Sequence, residues 1–198
     1  DVSNDQRLTI YKLRDYFLEE NDSEKLLFEY LDNLLEKTAD KLLPEDQSSN
    51  WKFDNLDKTL TQSLGVSPDF NLLEKSGLNF GKVMDYMNDF YQKYYFEKFG
   101  PLKERKAELE RQISIQVMDA AWKRHLQNID SLRSNIGLRA YAQRNPINEF
   151  KKESFYLFDA MIESFKDDIV KILFNIKIQT MSPKEFEEHK RRREQNKS

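Results

Sequence analysis

The chain has 198 residues, 38% of them hydrophobic and 34% charged, with a net charge of −3 and no cysteine. That is polar for a compact globule but ordinary for extended helical proteins, whose thin cores expose much surface. The missing cysteine excludes disulfides, thiolate zinc sites and cysteine nucleophiles, the charge balance argues against a nucleic-acid partner, and no uncharged stretch reaches the roughly 20 residues that span a bilayer.

Five glycines and five prolines are too few for a turn-rich β protein, and the abundance of Leu, Lys and Glu predicts an all-α fold. The opening "DVSNDQRLTIYKLRDYF" is acidic and then amphipathic, unlike a signal peptide. It starts as though in mid-helix, so a piece of a longer protein is expected. Residues 5–20 place Leu8, Tyr11, Leu13, Phe17 and Leu18 at near-helical spacing. A second helix, 23–43, carries Leu26, Leu27, Tyr30, Leu31, Leu34, Leu35 and Leu42, and Pro44 ends it. A loop anchored by Trp51 follows, then short helical pieces broken at Gly65, Pro68, Gly77 and Gly81. Residues 83–99 are a dense aromatic helix that stops at Gly100-Pro101. The irregular composition of 22–102 reads as a small separate subdomain.

Beyond Pro101 the pattern becomes regular. Met118, Trp122, His125, Ile129, Leu132 and Ile136 recur every three or four residues, as do Phe150, Leu157, Met161, Phe165, Ile169, Ile172 and Ile176. Both stripes are those of packed helices. Asn145-Pro146 fits an N-cap followed by proline at the first helical position. The sum is an antiparallel hairpin whose first helix, 103–138, is on the order of 50 Å long at 1.5 Å per residue. Trp122, His125, Ile129 and Phe158 are assigned to its seam, with Trp122 a buried anchor against the N-terminal helix. After Ile178 the apolar pattern is lost, and a flexible tail is expected.

No catalytic constellation is visible. His125 lies on the apolar seam with no second histidine at metal spacing, so a packed, hydrogen-bonded histidine is expected there and no metal site. Phosphate-cradling glycine loops and the Gly-x-Ser-x-Gly elbow are missing. The tail run "HKRRR" could attract nucleic acid or an anionic lipid surface, but it is short and interleaved with glutamates, so a solvated charge run is the favoured reading; of the two partners only the lipid surface is kept as an expectation. The turn between the two long helices is more telling. From Arg133 to Lys152 five basic residues face one acid, opposite in sign to the whole chain, around an aromatic, Tyr141, between two alanines. Two readings remain open on spacing alone: a tyrosine folded back on the hairpin, or a contact site at its tip.

At this point the residues become recognisable. "ISIQVMDAAWKRHLQNIDSLRSNIGLRAYAQRNPINEFKKESFYLF" resembles the C-terminal helical scaffold of the SecA family, the motor ATPases of bacterial preprotein translocation. Gln116, Asp119, Trp122, His125 and Leu126 meet one family pattern. Asp130, Leu132 and Arg133 meet a second, and Leu138, Arg139, Tyr141, Ala142, Gln143 and Pro146 a third. Glu149, Phe150, Lys151, Glu153 and Phe155 complete the set. Gln6, Arg7, Ile10, Tyr11 and Arg14 look like the end of the family's long scaffold helix. Ala140 and Ile129 depart from the commoner Gly and Met.

The resemblance implies a division into 1–21, the end of a scaffold helix; 22–102, a helical wing domain; 103–178, a two-helix finger; and 179–198, a flexible tail. It implies a mechanical and interaction role in coupling ATP-driven motion to preprotein movement through the SecY channel. Tyr141, Arg139, Gln143 and Arg144 would contact polypeptide and channel. The expected partners are the SecY complex, unfolded preprotein and the motor domains of a full-length chain, on the cytoplasmic face of the bacterial membrane. ATP and magnesium would belong to motor domains that these residues do not include, so no enzyme activity and no cofactor are expected here. The alternative is a free-standing helical adaptor unrelated to any motor.

Overall fold

A computed structural model describes residues 2–19, 23–44, 50–139 and 145–178, together with 184, 187, 188, 191, 192 and 195. The described residues contain six α-helices and no strand. They are α1 (Val2–Glu19), α2 (Ser23–Leu42), α3 (Asp54–Leu64), α4 (Phe80–Phe99), α5 (Arg105–Arg139) and α6 (Pro146–Asn175). Short 3-10 turns cover Phe70–Leu72 and Gly100–Leu102.

Local chemistry sets most of these limits. Pro44 cannot continue α2. Gly65 ends α3 in the left-handed region, φ +77°, its N–H donating to the Thr61 carbonyl, a common glycine stop. Asn79 caps α4, its side chain accepting from the Lys82 N–H at 2.9 Å. Gly81, expected to break the chain, lies inside α4, because the strong cap and the apolar run after it outweigh one glycine. Asn145 caps α6 and Pro146 takes its first turn. The described tail residues are helical and exposed, as "EFEEHKRRRE" is rich in good helix formers even without an apolar face.

The main core is built around α4, where Val83, Met87, Tyr91, Tyr95 and Phe99 recur every fourth residue and are fully buried. The Tyr95 and Phe99 rings lie 4.4 Å apart, and Phe174 of α6 meets both Tyr91 and Tyr95 at 5.6 Å. The same cluster takes in Leu31 and Leu35 of α2, Leu56 and Leu60 of α3, Phe17 of α1, Met118 of α5 and Phe165, Ile169 and Val170 of α6. The region 22–102 therefore shares its core with the base of the hairpin. Polar contacts seal the edges: Lys98 Nζ donates to the Leu173 and Phe174 carbonyls, and Asn175 Nδ2 to that of Ser63.

Two expected stripes shift. In α1 the buried residues are Gln6, Ile10 and Phe17, while Leu8, Tyr11 and Leu18 are about half exposed, at 49%, 52% and 47%. In α6, Ile172 is 39% exposed and Val170, Leu173 and Phe174 are buried beside Ile169. There α6 packs against α2 and α3 as well as α5, so its buried face is wider than a two-helix seam.

Candidate hairpin tip and polar seam

α5 and α6 run antiparallel as the most extensively packed helix pair in the chain. At 1.5 Å per residue the 35 residues of α5 span about 50 Å. Its outer half leaves the main core: among the described residues, Ile129, Leu132 and Ile136 form a second cluster with Phe150 and Leu157 of α6. α1 flanks the hairpin as far as Arg133, whose Nη2 donates to Ser3 Oγ at 3.4 Å. Six further residues of α5, about 9 Å, continue to Arg139.

Of the residues assigned to the tip, Tyr141, Gln143 and Arg144 lie outside the described residues, and only the backbone of Arg139 is described, as the last residue of α5. Their neighbours are described. Leu138 is 79% exposed and Ile147 is 66% exposed, so apolar side chains stand in the open on both sides of the turn. Lys151 and Lys152 are exposed on the first turns of α6, and the Arg133 guanidinium stands over the Phe150 ring at 5.6 Å.

Further down, three helices meet at a polar seam. His125 is 2% exposed, and its Nε2 lies 2.8 Å from Gln6 Oε1. Gln6 Nε2 donates to the Ser154 carbonyl at 3.1 Å. One glutamine thus joins α1 to both arms of the hairpin. With Gln6 Oε1 as acceptor, Nε2 carries the proton. Burial holds the imidazole below the usual histidine range, so it is neutral here. Its Nδ1 has no partner, and the ring borders an open groove between α5 and α6 lined by Val117, Ala121, Leu157 and Met161. Trp122 stacks on His125 at 5.4 Å and meets Phe158 edge-on at 6.5 Å. Both Trp122 and Phe158 are half-buried, and Ile129 is buried. Trp122 is thus a flanking side chain rather than the buried anchor expected, since His125 and Gln6 occupy the centre of the seam. Outside it, Arg14 Nη1 reaches both oxygens of Asp119 at 3.0 and 3.1 Å, an exposed pair of small energetic weight.

Sequence spacing gives no sign of the Gln6–His125 pairing beyond the place of Gln6 one turn before Ile10 on the buried face of α1. Among the described residues no three metal-ligating side chains cluster, and no helix is long and apolar enough to cross a membrane.

Residues 1–177 match the family described as SecA Wing and Scaffold domain. The chain belongs to this family. It is 36% identical over 180 residues to the protein translocase subunit SecA of Helicobacter hepaticus, covering 87% of this chain and 20% of that protein. It is 32% identical over 192 residues to the SecA of Burkholderia thailandensis, covering 95% of this chain and again 20% of the relative. The chain therefore spans about a fifth of the length of the SecA relatives it matches, and it corresponds to their wing and scaffold region.

Proposed function

We propose that this chain is the wing and two-helix finger of a SecA-type translocase, coupling nucleotide-driven motion elsewhere in a longer protein to preprotein movement through the SecY channel. The observation that carries the reading is the outer hairpin, where α5 and α6 run past the main core and, among the described residues, are supported by each other and the start of α1. A stiff rod with an exposed end delivers displacement at a distance. In this reading 1–21 ends the scaffold helix, 22–102 is the wing, 103–178 is the finger and 179–198 is a tail.

Tyr141 would touch the moving polypeptide. A substrate without fixed sequence requires a sequence-tolerant contact, and a tyrosine offers apolar area and one hydrogen bond at low entropic cost. Exposed Leu138 and Ile147 would extend that area. Arg139, Gln143 and Arg144 would engage channel loops or backbone carbonyls of the polypeptide. The site of action would be the cytoplasmic face of the membrane, where the exposed Lys151 and Lys152 suit an anionic lipid surface. ATP would be bound and hydrolysed by other parts of the full-length protein.

The test uses the full-length motor with SecY in vesicles. Tyr141→Phe is expected to keep most translocation, and Tyr141→Ala to lose most of it with basal ATP hydrolysis intact. In the 198-residue chain neither substitution is expected to lower the melting temperature. If Tyr141→Ala destabilises the chain and translocation falls only in step, the tyrosine is packed and the tip contact is wrong.

A further inference from the structure

Glu110 is the one carboxylate buried among the described residues, at 2% exposure. It sits two turns into α5, where nothing in the translocation reading uses it. Its Oε2 accepts from Ser23 Oγ at 2.6 Å, on the first residue of α2. Its Oε1 accepts from the Tyr95 hydroxyl, near the end of α4. Lys106 Nζ stands 3.5 Å from Oε1, also bonds Glu24 of α2, and lies over the Tyr95 and Phe96 rings at 5.2 and 5.4 Å. Burial, then the charge of Glu110, push the Tyr95 phenol above its ordinary value, so it remains a donor.

These partners occupy a special place in the chain path. The backbone leaves the scaffold for the wing once, between α1 and α2, and returns once, from α4 through Gly100–Leu102 into α5. Ser23 and Glu24 belong to the outward crossing; Tyr95 and Lys106 belong to the return. Both crossings end on one carboxylate. We propose that Glu110 is the clasp at the neck of the wing, the residue that ties the outward and return crossings together and sets the angle at which the wing is carried on the finger. This rests on the division into wing and scaffold given above.

A carboxylate is tolerated in a dry site only where its oxygens are matched. An apolar residue of similar volume would pack against Tyr95 without that requirement. The packed core already restrains how wing and hairpin meet, but the burial term itself is non-directional. Hydrogen bonds to a fixed acceptor do have direction, and here they come from two helices at once.

The test is amide hydrogen exchange on the 198-residue chain, comparing Ser23→Ala, Tyr95→Phe and Glu110→Leu with the parent. Each change deletes a different member of the cluster. If Glu110 links the crossings, every variant accelerates exchange in the second turn of both α2 and α5, where amides first have intrahelical acceptors, by about tenfold for the loss of one buried hydrogen bond. Amides around Phe165 and Ile169 in α6 should keep their rates. The decisive signal is crossed: Ser23→Ala, made on α2, must loosen α5. If Ser23→Ala affects α2 alone and Tyr95→Phe affects α4 alone, the bonds act separately and the clasp is refuted. If all helices accelerate together, Glu110 contributes only to global stability, and the proposal fails equally. Should Glu110→Leu not fold, the two hydroxyl deletions decide the matter. No translocase enters this measurement, so a failed clasp and a failed coupling role are told apart.

Discussion

Phe165→Ala tests whether wing and hairpin fold as one unit. Phe165 belongs to α6 but is fully buried in a cluster drawn mainly from α2, α3 and α4. Deleting a buried phenylalanine ring costs about 3–5 kcal/mol, part lost transfer energy and part cavity. For a chain of this size each kcal/mol moves the melting temperature by about 2–4 °C, so a fall of about 6–20 °C is expected. The chain supplies its own probes, because its two tryptophans are Trp51 and Trp122. Trp51 packs against the main cluster, with Nε1 donating to the Pro44 carbonyl at 2.8 Å, while Trp122 stacks on His125 in the hairpin. With Trp122→Phe as background, fluorescence reports the surroundings of Trp51; with Trp51→Phe it reports the hairpin. Phe165→Ala should lower both midpoints together. An unchanged Trp51 midpoint beside a lowered Trp122 midpoint would show that the wing folds on its own, and the shared core would not be a cooperative unit.

Trp122→Ala removes a half-buried ring and should cost about 1–3 kcal/mol, clearly less than Phe165→Ala in the same urea titration. Gly65 has φ +77°, and a Cβ there would lie 2.8 Å from Asn175 Oδ1. Gly65→Ala should therefore destabilise by about 1–2 kcal/mol by calorimetry. Gly137→Ala, in α5 with nothing within 4 Å of the new Cβ, should stabilise by about 0.5–1 kcal/mol. Burial sets the folded-state value of His125 below its ordinary 6.5, so the folded chain holds fewer protons than the unfolded chain just below that pH. Its contribution to stability is complete above pH 6.5 and is lost as pH falls through the folded value. Melting temperature should drop between pH 7.5 and 5.5, and His125→Leu should flatten that drop; an equally steep profile in the variant would assign the proton elsewhere. Glu163 is held below the usual carboxylate value because Lys166 and Lys37 outweigh its burial, so its contribution is lost only at more acid pH.

What could be read from the sequence follows from how far apart the interacting residues lie. Asn145-Pro146 announces the start of α6 because a cap and a fixed φ act within one turn. The aromatic ladder of α4 announces itself because its members repeat every four residues. Glu110 gives no such sign. In "LKERKAELERQ" it is one charge among many, and only its sharing a face with Ser114 and Met118, four and eight residues on, marks it as inward. Its partners Ser23 and Tyr95 come from other helices, and no periodicity encodes them. α1 misleads for a related reason: it carries two apolar stripes, and the one that holds Gln6, not the one that holds Leu8 and Tyr11, meets the hairpin, where Ile10 and Phe17 are buried with it and its amide pairs with His125. The hairpin shows how strongly a stripe's width depends on its neighbours. Where α5 and α6 support mainly each other, Ile129, Leu132 and Ile136 keep the simple spacing expected of a seam. Where α6 also meets α2 and α3, Phe165, Ile169, Val170, Leu173 and Phe174 are all buried, and a single stripe no longer describes it. The buried face therefore narrows along the hairpin from the shared core toward the tip. With it falls the number of contacts that a substitution can break, which is why changes near Tyr141 are expected to alter what the tip touches while changes near Phe165 alter whether the chain folds.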